Sequence, residues 1–191
     1  MQMQTPSPES VARHLIKLLG GHEKAFRLLD ADFQEVTRRW AQDTAKIGRI
    51  LRAHLFVEHF LTEYLQAKNP DLGSLDDARV TFAQKIPLIN TDELRIAYLL
   101  PGIRRLNTIR NRIAHSLHAD VTQDDANVFL QIQLFSALRN ESAKRSQRAP
   151  SSDPIDIMEE FAVHAGSLLH LGPTTSLWAE AFRLAQQECT N

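Results

Sequence analysis

Arg110, Asn111 and His115 lie close together in Leu106-Asn-Thr-Ile-Arg-Asn-Arg-Ile-Ala-His115. Their types suit metal-free chemistry on a phosphodiester. Cleaving RNA without a metal needs a proton acceptor for the 2′-OH, positive charge on the developing phosphorane and a proton donor for the leaving 5′-oxygen. Histidine suits the first and last tasks, because its ordinary pKa of about 6.5 lies near working pH. Arginine suits the second, with rigid donors matched to phosphate oxygens. Asn111 is four residues from His115, so it shares that helix face and can position phosphate or fix the imidazole tautomer.

The element that must hold them is a helix expected from about Leu99 to Leu117. At about 100° per residue, Leu99, Ile103, Leu106, Ile109, Ile113 and Leu117 share one side, as in a helix packed on a bundle. Arg104, Asn107, Asn111, His115 and His118 fall nearly opposite, with Arg110 at the margin of the apolar face. No acidic residue occurs between Glu93 and Asp120. Arg105 and Arg112 add to the local positive charge, so the helix suits an anion. Arg105, Arg112 and His118 are therefore candidate substrate contacts, and Arg104 and Asn107 candidate supporting residues.

Arg110 and His115 are five residues apart, about 140° around an ideal helix. They converge only if the helix distorts, the arginine wraps, or two subunits contribute. A symmetric dimer would place two copies of each in one cleft, enough for an acid and a base. Simpler roles compete. Arg110 can merely neutralise Glu58, Asn111 can cap a turn, and His115 can gain stability near a helix C-terminus. His59 and His118 read as ordinary surface histidines.

The 191 residues suffice for a real core, and 43% of them are hydrophobic. A formal net charge of −1 argues against a generally basic nucleic-acid coat, but not against a local site. The single cysteine, Cys189, permits no intrachain disulfide and no cysteine metal cluster. Histidine spacing matches no metal motif, and P-loop, Rossmann and nucleophile-elbow glycine patterns are absent, so neither metal nor cofactor is expected. No basic leader precedes an apolar block, and no apolar run reaches the roughly 20 residues of a membrane span. A cytoplasmic setting without membrane attachment is expected.

Periodicity predicts an all-α bundle of about seven or eight helices. Residues 1–43 read as an N-terminal helical arm, with Phe26, Leu29, Phe33, Val36 and Trp40 at three- and four-residue steps. A long helix from Asp43 or Thr44 to about Ala67 opens the core, residues 44–140. Glu58 sits near the centre of its apolar face, with His54 beside it. A carboxylate there needs a partner, and the expected one is Arg110. A helix from Leu75 to about Ile86 follows Ser74, then a short one near Leu94–Tyr98. Thr122-Gln-Asp-Asp125 caps a helix running to about Asn140. Residues 141–153 read as a mobile surface loop, and 154–191 as a helical pair packing on the core.

The pattern Leu106-Asn-x-Ile-Arg110-Asn111-x-x-Ala-His115 resembles the Arg-x4-to-6-His signature of the HEPN superfamily. The order of elements is similar too: Val57-Glu58-His-Phe-Leu-Thr-Glu-Tyr-Leu65, then Thr81-Phe-Ala-Gln-Lys-Ile86, then the motif helix. The resemblance covers about residues 44–138 and is nearest to the mannitol-repressor-like branch and related small domains. It implies a helical core with extensions at both ends, and dimerisation through paired motif helices. It also implies one of two functions. One is a metal-independent endoribonuclease of toxin–antitoxin, antiphage or stress systems, with Arg110, Asn111 and His115 catalytic and a possible antitoxin partner. The other is a non-catalytic regulatory module that binds protein or RNA.

Overall fold

A computed structural model describes residues 5–71, 73–75, 77–116 and 120–190, and all side chains among these except those of Cys189 and Thr190. Helices account for 75% of the chain and no strand forms among the described residues, so the fold is an all-α bundle. The chain divides into two compact units, residues 1–43 and 44–191.

The first unit holds α1 (Pro8–Leu18) and α2 (His22–Trp40). Ser7 caps α1, accepting from the Ser10 amide at 3.2 Å, and Pro8 opens its first turn. The hairpin turns at Gly20 and Gly21, whose φ values of 85° and 106° lie where side-chain-bearing residues are strained.

The second unit comprises α3 (Thr44–Lys68), α4 (Phe82–Lys85) with a 3₁₀ turn at Ile86–Leu88, α5 (Leu94–Ala97), α6 (Leu100–His115), α7 (Gln123–Leu130), α8 (Gln133–Ser146), α9 (Pro154–Leu169) and α10 (Thr175–Thr190). α9 is the centre of this unit rather than a layer on its outside. It packs chiefly on α3, and also on α7, α6 and α5. Ile155, Ile157, Met158, Phe161, Ala162, Ala165, Leu168 and Leu169 are all buried along it. Phe161 stacks on Phe129 at 4.8 Å and meets Phe135 edge-on at 5.7 Å. α6 approaches so closely that a Cβ on Gly102 would overlap the Phe161 ring. Truncating Phe161 to alanine is expected to cost about 3–5 kcal/mol.

Three elements differ from their expected form. The helix expected over 75–86 shortens to α4: Arg79 adopts a left-handed φ of 52°, and a capping box between Thr81 and Gln84 restarts the helix at Phe82. The helix expected from 123 to 140 breaks at Gln131 and Ile132, where Ile132 turns extended and stays buried. On one straight helix Phe129 and Phe135 would point about 120° apart; the break lets both reach Phe161. The expected loop at 141–153 begins only at Gln147, whose φ of 53° ends α8. Residues 141–146 remain helical, with Lys144 paired to Glu141 at 2.6 Å.

Candidate functional site

α6 carries the motif, and its sides do different work. Leu100, Ile103, Leu106 and Ile109 are buried in the core. Around the helix from them, Arg105 and Arg112, seven residues apart, face α7 together. Both converge on Asp125, whose carboxylate is buried: Arg105 Nη1 lies 3.3 Å from it and Arg112 Nη2 closes tightly on its other oxygen. Asp125 also completes the α7 capping box, accepting from the Thr122 amide at 2.8 Å while Thr122 Oγ1 accepts from its own amide at 3.2 Å. Burial raises the Asp125 carboxyl, but hydrogen bonds from Arg112 and Thr122 outweigh it and hold the group below the usual carboxylate range. These two arginines thus have a partner within the fold, with about a third of each side chain still exposed.

The remaining polar stripe faces outward. Arg104, Asn111 and His115 are exposed, while Asn107 and Arg110 are half-buried. Arg110 Nη1 donates to Asn111 Oδ1 at 3.2 Å, so the guanidinium lies along the asparagine's side of the helix. His115 is the last residue of α6, one turn beyond Asn111. His118 lies outside the described residues.

The ion pair expected between Glu58 and Arg110 does not form. Glu58 Oε1 instead lies 3.4 Å from Lys85 Nζ, and Glu58 Oε2 lies 3.7 Å from His54 Nδ1. Lys85 reaches across from α4, is buried, and also donates to Thr62 Oγ1 at 2.8 Å. Among the described residues Arg110 makes no ion pair, so its charge is not spent on a carboxylate. His54 is buried against Phe82, with ring centroids 4.4 Å apart. Its pKa is lowered, chiefly by burial; Glu58 opposes the shift, the Arg110 charge adds to it and Asn107 opposes it. His54 Nε2 is enclosed without a hydrogen bond. A neutral imidazole therefore lies behind Asn107 and Arg110 on the inner side of the stripe.

Lys85 is the partner of Glu58 that the sequence pattern did not single out. The signal was present: a carboxylate on an apolar helix face needs a cation, and Lys85 stands between Phe82 and Ile86 in a segment that must itself face the core.

A groove of about 790 Å³ lies elsewhere in the second unit, between α8, α9 and residues 148–151. Arg52, Leu138, Arg139, Val163 and His164 line it, and no α6 residue does. The outer side of α6 offers a guanidinium, an amide and an imidazole, with Asn111 and His115 exposed and Arg110 half-buried. No cluster of three or more histidine, cysteine or carboxylate groups is arranged to hold a metal, and no helix is long and apolar enough to cross a membrane, among the described residues. No family model, no curated protein and no solved structure matches the chain.

Proposed function

We propose that the chain is a metal-independent endoribonuclease of HEPN type, acting as a homodimer with α6 stripes facing each other. The observation that carries this reading is the pairing of Arg110 with Asn111 on the exposed side of α6, with no carboxylate bound to Arg110 and His115 one turn away. Arg105 and Arg112 serve the fold, which leaves Arg110 and Arg104 as the cations available to a phosphate.

In the proposed reaction, His115 of one copy accepts the 2′-OH proton as that oxygen attacks phosphorus. The P–O5′ bond breaks, and His115 of the second copy donates a proton to the leaving 5′-oxygen. The products are a 2′,3′-cyclic phosphate and a 5′-hydroxyl. Arg110 neutralises the added charge on the phosphorane, and Asn111 holds Arg110 in place. Glu58, Lys85 and His54 support the stripe from behind rather than touching RNA. A cytoplasmic setting and an inhibitory protein partner belong to the same reading.

The test is cleavage of a mixed RNA substrate in EDTA. His115→Ala and Arg110→Ala are each expected to lower the rate about 100-fold or more without changing the helical circular dichroism. Full activity in His115→Ala would falsify the assignment.

A second reading has its own support. The exposure of Arg104, Asn111 and His115 also fits a non-catalytic regulatory module, in which Arg110 and Asn111 bind RNA or a protein without cutting. It is favoured if wild-type protein binds RNA yet leaves it intact.

A further inference from the structure

We infer that the apolar stripe of α2 is a homodimer seam whose occupant is α2 of a second copy, paired antiparallel. Phe26, Leu29, Phe33, Val36 and Trp40 follow one another at steps of three, four, three and four residues. On an ideal helix they fall within an arc of about 80°. All five are exposed: Phe26 61%, Leu29 41%, Phe33 71%, Val36 64% and Trp40 86%. α1 does not cover them, since Ala25 is the buried residue among those described in α2. Most of the rest of the helix is polar, though Leu28 is a further exposed apolar residue. Glu35 binds Arg38 at 2.9 Å and Arg39 at 2.7 Å, and Glu23 binds Arg27 at 3.2 Å.

The stripe's own order names its partner. Read in either direction from Phe33 it runs aromatic, aliphatic, aromatic. A two-fold axis at Phe33 would set Phe33 on Phe33, Leu29 opposite Val36, and Phe26 opposite Trp40. Large side chains meet large ones at the ends and the two aliphatics fill the layers between. The three-four alternation is the spacing at which one helix keeps a narrow apolar edge toward another, and a two-fold interface closes at two copies.

The area suffices. At these exposures the five side chains present roughly 600–700 Å² of apolar surface per copy, above the largest patch a typical monomer leaves open. Two copies would bury about 1,300 Å², within the range of stable interfaces. Val11, Leu15 and Leu18, exposed on α1, are further apolar surface in the same unit. The inference is independent of the chemistry proposed for α6.

The test is sedimentation equilibrium of the full chain at 1–50 µM. The wild type is expected at twice its 21.7 kDa mass. Phe33→Asp is expected to raise the dimer dissociation constant at least 100-fold at unchanged helicity. Should that variant misfold, Phe33→Cys and Arg38→Cys in a Cys189→Ser background give the second measurement, using a short bis-maleimide. Cross-linked dimer at position 33, at the axis, with none at position 38 on the opposite side, supports the seam. A monomeric wild type would overturn the inference, including one whose stripe is covered by the chain's own second unit. So would equal cross-linking at both positions, or a dimer unaffected by Phe33→Asp. A dimer that persists unchanged in Phe33→Asp overturns the seam and leaves the α6 pairing of the nuclease reading standing, whereas RNA cleavage retained in His115→Ala bears on α6 alone, so the two proposals fail separately.

Discussion

Lys85 Nζ lies 3.4 Å from Glu58 Oε1 and joins α4 to the middle of α3. The two partners are not equally enclosed. The Lys85 side chain is almost fully buried, whereas a quarter of the Glu58 side chain meets solvent. Breaking a buried pair hurts most when the group left behind cannot reach water. Glu58→Leu, which takes this carboxylate from the enclosed ammonium and leaves its bond to Thr62, is therefore expected to cost about 3 kcal/mol, and Lys85→Met about 1–2 kcal/mol. The double variant should recover part of the loss. Urea unfolding of the three proteins checks this, and the idea fails if Lys85→Met proves the more damaging change.

Asp125 makes a prediction about acid. Its carboxyl is held below the ordinary range because hydrogen bonds from Arg112 and Thr122 outweigh the opposing effect of burial. A carboxyl with a lowered folded pKa binds its proton more readily in the unfolded chain. Its contribution is complete above the unfolded value of about 4 and is lost as pH falls through the folded value. Asp125→Asn should lower stability at pH 7 by about 3 kcal/mol and shrink the further loss between pH 5 and pH 3. Urea midpoints of both proteins across that window decide it; equal acid slopes would remove Asp125 from the account.

His164 gives the matching prediction at higher pH. Its Nε2 lies 2.8 Å from the Tyr98 hydroxyl oxygen, within hydrogen-bond distance, and its ring lies 5.4 Å from the Phe135 ring, centroid to centroid. Burial pushes its pKa down to about 4. The unfolded chain takes up this proton near pH 6.5, so His164 favours folding above that pH and its contribution drains away between about 6.5 and 4. Nuclear magnetic resonance should find the His164 ring neutral at pH 5.5. A His164→Gln variant should show a shallower fall in stability between pH 6.5 and 4.5. A ring that titrates near 6.5 would contradict this.

How much was legible in the sequence follows from where each force acts. α6 was readable because its apolar and polar sides are both periodic within one element. Residues 44–68 were readable as α3 for the same reason. The α7–α8 break was not, because Phe129, Ile132 and Phe135 continue a helical period, and only the position of Phe161 on α9 makes a break favourable. Nor was the central place of α9. Ile155–Leu169 is apolar over much of its surface, with Val163 on its exposed side, but only packing shows that it lies between α3 and α7. At the candidate site, the exposure of Asn111 and His115 was legible. The partners of Arg105, Arg112 and Glu58 were not, since choosing between Arg110 and Lys85 for Glu58 depends on how α4 crosses α3.

The arginines of α6 separate fold from function, and this can be measured. Arg112 closes on the buried Asp125 and also donates to the Asp120 carbonyl at 2.8 Å. Removing it leaves the buried carboxylate to Arg105 and Thr122 alone, so Arg112→Ala should cost about 2–4 kcal/mol. Arg104 is exposed on the polar stripe, and Arg104→Ala should change stability by less than about 0.5 kcal/mol. On the proposed nuclease reading its effect falls on ligand binding: losing one phosphate contact should weaken single-stranded RNA binding and lower the slope of log affinity against log salt by about 0.7. Titrations at several salt concentrations, alongside urea curves, check both arms. If Arg112→Ala instead weakened RNA binding at unchanged stability, the division between the Asp125 clamp and the outward stripe would be the wrong description of α6.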